Sequence, residues 1–289
     1  MTSPKSRVSH LVFKVIFAFA VAASSGAAQA MAASSPWVEG EKAKVRLLAG
    51  RGAGGSGALH AFVEIVLEPG WKTYWRTPGD AGGLPPTFDW SKSANLAAAD
   101  VMFPAPRRFT DRSGNTIGYE DSVVFPVALT PQDADKPVSL VLGLHYGICK
   151  DICIPAEAEL VLEVPAEGGE PLPAEVVEAL DRVPRPQDRL RPGDPALVHA
   201  GALLAGGSPK ITVAARFPQR GGDADVFLEA PDEIFLPLPE RVAGKGAGEE
   251  VVFEARLGAD VDVDALRGRT VTVTLVGETG ASFATFVVK

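Results

Sequence analysis

Short apolar runs, each closed off by glycine, proline or aspartate, set the narrowest limit on how this chain can fold. HAFVEIVLEP (60–69), SVVFPVALTP (122–131), VSLVLGLHYGI (138–148) and AEAELVLEVP (156–165) alternate or cluster apolar residues between such breakers. That is the pattern of strands rather than of helices. Several strands at short spacing, with no helical periodicity of useful length before residue 170, argue against βαβ units and predict an all-β sandwich. Glycine (30) and proline (24) are abundant, yet 46% of the residues are hydrophobic, so the breakers mark turns and not disorder.

The character changes after Pro165. AEGGEPLP reads as a linker, and PAEVVEALDRVPRP (173–186) is the one credible helix, with proline near its start and at its end. Strands resume in KITVAARFP (210–218), ADVFLEAP (224–231), EVVFEARLG (250–258), TVTVTLVGETG (270–280) and ASFATFVVK (281–289), the last two joined by the hairpin signal Gly-Glu-Thr-Gly. The expected division is a leader over 1–30, a first β domain over 31–169, a linker with a short helix over 170–194, and a second, smaller β-sandwich-like domain over 195–289. In the last of these DEIFLPLPE (232–240) reads as an irregular strand, with a docking edge as the alternative.

The leader follows from Lys5 and Arg7, an apolar stretch from Leu11 to Ala23 broken by Lys14, and Ala28-Gln29-Ala30, a small-x-small cleavage pattern. The uncharged run is short of the ~20 residues a membrane span needs, so export with cleavage after Ala30 and a periplasmic location are expected. The formal net charge of −8 and the lack of a long basic run argue against nucleic acid as a partner. No Ser-His-Asp order, phosphate-cradling glycine motif or paired-carboxylate site stands out.

The chain has two cysteines, both inside HYGICKDICIPAEAEL (145–160). With strand-like sequence on either side, Lys150-Asp151-Ile152 form the turn, and Cys149 and Cys153 face each other as a cross-strand pair within reach of a disulfide. Three readings stand beside one another. As a staple, so small a ring contributes only about 2 kcal/mol, against nearly 5 for a long loop. As a metal clip, His145, Cys149 and Cys153 offer an imidazole and two thiolates that suit copper(I), but no fourth ligand for closed zinc is evident. As a redox switch, a small ring at a turn opens easily, and an exported protein can keep such a pair oxidised. The switch fits best. Lys150 favours a thiolate and Asp151 opposes one.

GWKTYWRTPGDAGGLPPTFDW (70–90), FPAPRRF (103–109), IGYEDSVVFPV (117–127) and YGICKDICIPAEAEL (146–160) together resemble the amino-terminal periplasmic domain of DsbD-type thiol:disulfide interchange proteins, above all the ScsB-like branch linked to copper tolerance. The resemblance covers about residues 37 to 165 and is weaker over 195 to 289. It implies an immunoglobulin-like sandwich and a protein-disulfide reductase component whose Cys149–Cys153 pair cycles between dithiol and disulfide, with no other cofactor. It also implies that Cys153 is the attacking thiol, and that electrons come from a membrane thiol donor and pass to oxidised periplasmic proteins. Full-length relatives continue into membrane helices and a thioredoxin-like domain, whereas this chain ends at Lys289, so the expected donor is a separate protein.

Two departures bear on the site. Well-known members space the cysteines more widely than the C-x-x-x-C here. They also carry a cap loop whose aromatic side chain shields the sulfurs, and its counterpart, TDRSGNTIGYED (110–121), has no aromatic before Tyr119. Shielding therefore falls to Phe109 or Tyr119. Trp71, Tyr74, Trp75 and Trp90 read mainly as core, with Tyr74 or Trp75 beside the sulfurs as the lesser reading. Asp80, Glu120 and Asp121 are candidate proton acceptors near the pair, although solvated loop carboxylates are the commoner case.

Overall fold

The computed structural model describes, beyond Met1, residues 33–51, 58–112, 114–166, 172–218, 224–232, 234–244 and 249–289. The expected leader lies outside the described residues. Among those described, no helix is long and apolar enough to cross a membrane.

Among the described residues the strands form four sheets. In the first, the order is Ala33–Ser34, Ala43–Arg51, Leu59–Leu67, Ser122–Pro131 and Leu96–Val101, with Val38–Glu39 also on Ala43–Arg51. In the second it is Cys153–Val164, Val138–Cys149, Lys72–Tyr74, Gly114–Glu120 and Arg107–Asp111, with Thr87–Asp89 also on Val138–Cys149. Alternation decides the inner faces. Val45, Leu47, Ala61, Val63, Ile65, Phe125 and Val127 of the first sheet meet Leu140, Leu142, Leu144, Ile148, Leu160 and Leu162 of the second in one buried core. This is the sandwich that the short strand spacing predicts.

The third and fourth sheets repeat the plan. Arg185–Pro186, Ala281–Val287, Thr270–Val276 and Asp225–Glu229 pack on Ala196–Leu203, Lys210–Arg216, Glu250–Arg256 and Glu240–Arg241. Their core holds Ile211, Val213, Phe253, Val271, Val273 and Leu275. All four sheets belong to one compact unit. Phe227, on the third sheet, is buried in the core of the first pair.

The helix is shorter than expected, Ala174–Asp181. Pro184 and Pro186 lack the N–H that another turn requires, and Arg185–Pro186 pairs parallel with Ala281–Val287 instead. Just before and within it, Leu172 and Val176 are buried against Leu48 and Phe62 on the outer face of the first sheet. The DEIFLPLPE segment has no regular strand before Glu240. Its Ile234 and Leu236 join the second core, and Leu238 packs on the first.

The stretch expected as a cap loop, 110–121, is mostly a hairpin: Arg107–Asp111 pairs with Gly114–Glu120 from Arg107↔Gly118 to Asp111↔Gly114. Cys153–Val164 is the edge strand of the second sheet, and Glu157, Glu159 and Glu163 are exposed along it.

Candidate functional site: a disulfide at a hairpin tip

The site begins with the longest ladder among the described residues. Val138–Cys149 and Cys153–Val164 pair without slippage from Val138↔Val164 to Cys149↔Cys153. Leu140, Leu142, Leu144, Tyr146 and Ile148 are buried on one face, and a one-residue slip would turn all of them to solvent. Lys150, Asp151 and Ile152 are left to make the turn, across which the Lys150 N–H donates to the Ile152 carbonyl at 3.2 Å. The register sets the cysteines opposite each other with Cα atoms 4.2 Å apart, and their sulfurs are bonded as a disulfide. Cys149 is half-buried, Cys153 is exposed, and Ile152 at the tip is 65% exposed.

On the other side of Val138–Cys149 runs the short Lys72–Tyr74 strand, with Lys72 opposite Cys149 and Thr73 opposite Ile148. Thr73 is fully buried and donates its hydroxyl to the Gly147 carbonyl at 2.8 Å. The next residue reaches the sulfurs: the Tyr74 hydroxyl lies 3.0 Å from Cys153 Sγ. Burial pushes its phenol above the ordinary value. Tyr74 is therefore a protonated donor at neutral pH, and the sulfur is the acceptor.

Two glycines leave room for that ring. A Cβ on Gly83 would run into Tyr74 Cδ1 and Cε1, and one on Gly147 would stand 2.8 Å from Tyr74 Cε2. The Gly147 N–H donates to the Leu84 carbonyl at 2.9 Å, so the GGLPP connection folds down over the tyrosine. Leu84 itself is 49% exposed. This connection, together with Tyr74, stands where an aromatic cap was expected. Sequence reasoning missed Gly83, Leu84 and Gly147; the Gly-Gly-Leu-Pro-Pro string was the available signal, a backbone built for close approach.

The other candidates lie elsewhere. Tyr119 is buried, donates its hydroxyl to the Pro104 carbonyl at 2.8 Å, and packs edge-on to Phe125; burial raises its phenol well above the usual value. It is a core residue. Phe109 carries Lys72 Nζ at 5.2 Å and the Arg107 guanidinium at 5.5 Å from its ring centre. The Lys150 ammonium donates to the Pro69 carbonyl at 3.3 Å, and Asp151 is exposed in the turn.

Asp80 accepts from the Asn115 backbone and side-chain amides, and Glu120 pairs with Lys72 at 3.7 Å. Asp121 has a positive φ of 65° and its carbonyl takes the Leu67 N–H. His145 is exposed and pairs with Glu157 at 3.3 Å. Four residues along a strand separate it from Cys149 by about 13 Å, so the donor set considered for copper is not brought together. Among the described residues no group of three or more His, Cys, Asp or Glu side chains forms a metal site.

This geometry can be set beside known proteins. Residues 44–165 match the family model described as thiol:disulfide interchange protein DsbD, N-terminal. The chain is similar in fold to the N-terminal periplasmic domain of ScsB from Proteus mirabilis, with a TM-score of 0.66 and 21% identity over 89% of this chain and 99% of that one. The likeness of fold thus extends past the matched segment into the second pair of sheets. No curated protein matches the chain in sequence. The matched segment runs from the Ala43–Arg51 strand to the end of the cysteine hairpin, and over it the chain is similar to the DsbD amino-terminal domain family of thiol:disulfide interchange proteins.

Proposed function

We propose that this chain is a periplasmic thiol–disulfide exchange protein that carries electrons from a membrane thiol donor to oxidised periplasmic proteins through Cys149 and Cys153. One observation carries the reading: the chain's two cysteines are joined at an open hairpin tip, with a phenol hydroxyl on the exposed sulfur. The match of 44–165 to an interchange family supports the chemistry. The export pattern of residues 1–30 and the periplasmic ScsB domain support the compartment.

In the reduced protein the Cys153 thiolate attacks one sulfur of a partner disulfide. A mixed disulfide forms, and the partner's other sulfur leaves as a thiolate. The Cys149 thiolate then attacks Cys153 Sγ, which closes the internal disulfide and releases the partner's second thiolate. Two electrons have moved to the partner, and its thiolates take up the protons the two cysteines have lost. The membrane donor reverses the sequence. The Tyr74 hydroxyl, on Cys153 Sγ in the disulfide, stays on that sulfur in the reduced pair and stabilises its thiolate.

The deciding measurement is the reduction potential of the pair in purified protein equilibrated with glutathione or dithiothreitol. A relay has a potential of about −270 to −120 mV, and a value below about −300 mV would make the bond a structural staple. In parallel, Cys149→Ser should accumulate a mixed disulfide with an oxidised model peptide, and Cys153→Ser should form none under the same conditions.

A further inference from the structure

Tyr74 is the first of four consecutive residues whose side chains lead away from the sulfurs. Trp75 is 1% exposed and its ring centre lies 5.6 Å from that of Phe227 on the Asp225–Glu229 strand. The Arg76 guanidinium stacks over the Trp75 ring at 4.2 Å and donates to both oxygens of Glu229, at 2.6 and 2.7 Å. Thr77 adds its hydroxyl to Glu229 at 3.2 Å. At the far end of the same strand, Asp225 takes two bonds from Arg108, at 2.6 and 3.0 Å. Arg108 also reaches the Pro239 carbonyl.

These contacts are well built for positioning. A planar guanidinium on a carboxylate with two parallel bonds fixes direction as well as distance. Glu229 and Asp225 are both largely shielded from water, which keeps the pairs from being screened away. The segment from Lys72 to Thr77 is thus anchored at one end to the cysteine strand and at the other to the third sheet. In between, Lys72–Tyr74 pairs with Gly114–Glu120 from Lys72↔Glu120 to Tyr74↔Gly118, and the Trp75 N–H continues that ladder to the Ile117 carbonyl at 2.9 Å.

We infer that the Asp225–Glu229 strand is a brace for the redox site: through Glu229, Arg76 and Trp75 it holds the Tyr74 hydroxyl on Cys153 and so sets the reactivity of the pair. Arg76 and Glu229 are positioning residues in this scheme, and the second sandwich is part of the sulfur chemistry rather than an appended module. The inference deepens the proposed function and rests on the pair changing redox state. Its signature is a shift relative to the parent protein, so it stands or falls separately from the parent's absolute potential.

A hydrogen bond from Tyr74 stabilises the Cys153 thiolate more than the neutral disulfide sulfur, so losing it should make the pair harder to reduce. The experiment is a double-mutant cycle on the reduction potential of the full chain with Tyr74→Phe, Glu229→Gln and the two combined. The pH dependence of Cys153 alkylation is followed in a Cys149→Ser background. Each single substitution should lower the equilibrium constant for reduction by glutathione about tenfold, ~30 mV for a two-electron couple. Each should also move Cys153 alkylation to higher pH. The double variant should add little to either, because both substitutions remove the same contact.

Denaturant midpoints of the oxidised proteins separate this from a structural role, which moves stability and leaves potential and alkylation in place. If Tyr74→Phe shifts the potential and Glu229→Gln does not, or if the two effects simply add, the brace is overturned. It is equally overturned if neither shifts it.

Discussion

The chain's three tyrosines, Tyr74, Tyr119 and Tyr146, are buried, and burial raises each phenol above its ordinary value. A phenol whose folded value lies above its unfolded one stabilises the fold fully below the unfolded value, and that contribution is lost as pH rises through the folded value. Phenolate absorbance should therefore appear later than the ordinary 10.0 and rise together with unfolding. A phenol that titrates at its ordinary value in the folded protein and disappears in Tyr74→Phe would mean that Tyr74 stands in water and does not hold the sulfur. The cysteines announced themselves because a lone close pair has few other uses. Tyr74 did not, since the aromatic string around it reads equally well as core, and for Trp71 and Trp75 core is what it is. What selects Tyr74 is a strand pairing across some seventy residues, and periodicity within one segment carries no record of that.

At the scale of elements, the strands with clean alternation between breakers were legible. The cysteine hairpin, the 122–131 strand and the Gly277–Gly280 turn, closed by Gly277 N–H to the Gly280 carbonyl at 2.9 Å, lie where pattern put them. The stretch 110–121 gives no strand signal in the sequence, because its residues are mostly polar and offer only Ile117 and Tyr119 as large apolar side chains to the buried face, yet most of it pairs in the hairpin of Arg107–Asp111 and Gly114–Glu120. Lys72–Tyr74 is too short to show a period at all. The cysteine ladder has its own test. Twelve paired positions already hold the two strands together, so the disulfide closes a ring that the register closes anyway. Replacing both cysteines by serine should cost no more than about 2 kcal/mol in denaturant unfolding, with the strand signal in circular dichroism unchanged. A loss of the fold would instead mark the bond as a staple.

At the scale of the whole molecule, the two sandwiches meet through a strand whose charges are satisfied by the other half: Glu229 by Arg76, and Asp225 by Arg108. None of these four residues stands out in the sequence, where each is one charge among many. An exposed site on a sheet edge also raises the matter of self-association, because free edges are where copies of a protein zip together. Here the edge strand bears Cys153, the exposed sulfur of the pair, and its outward residues discourage that outcome. Glu157, Glu159 and Glu163 line it. Opposite Pro155, the Gly147 N–H and carbonyl turn away to Leu84 and Thr73, so the proline nitrogen faces the open side and offers a neighbouring strand no donor. Exchanging the three glutamates for threonine keeps strand propensity and removes the repulsion. Light scattering should then show concentration-dependent association that the parent lacks. The edge thus leaves a sulfur in the open while offering little to a passing backbone.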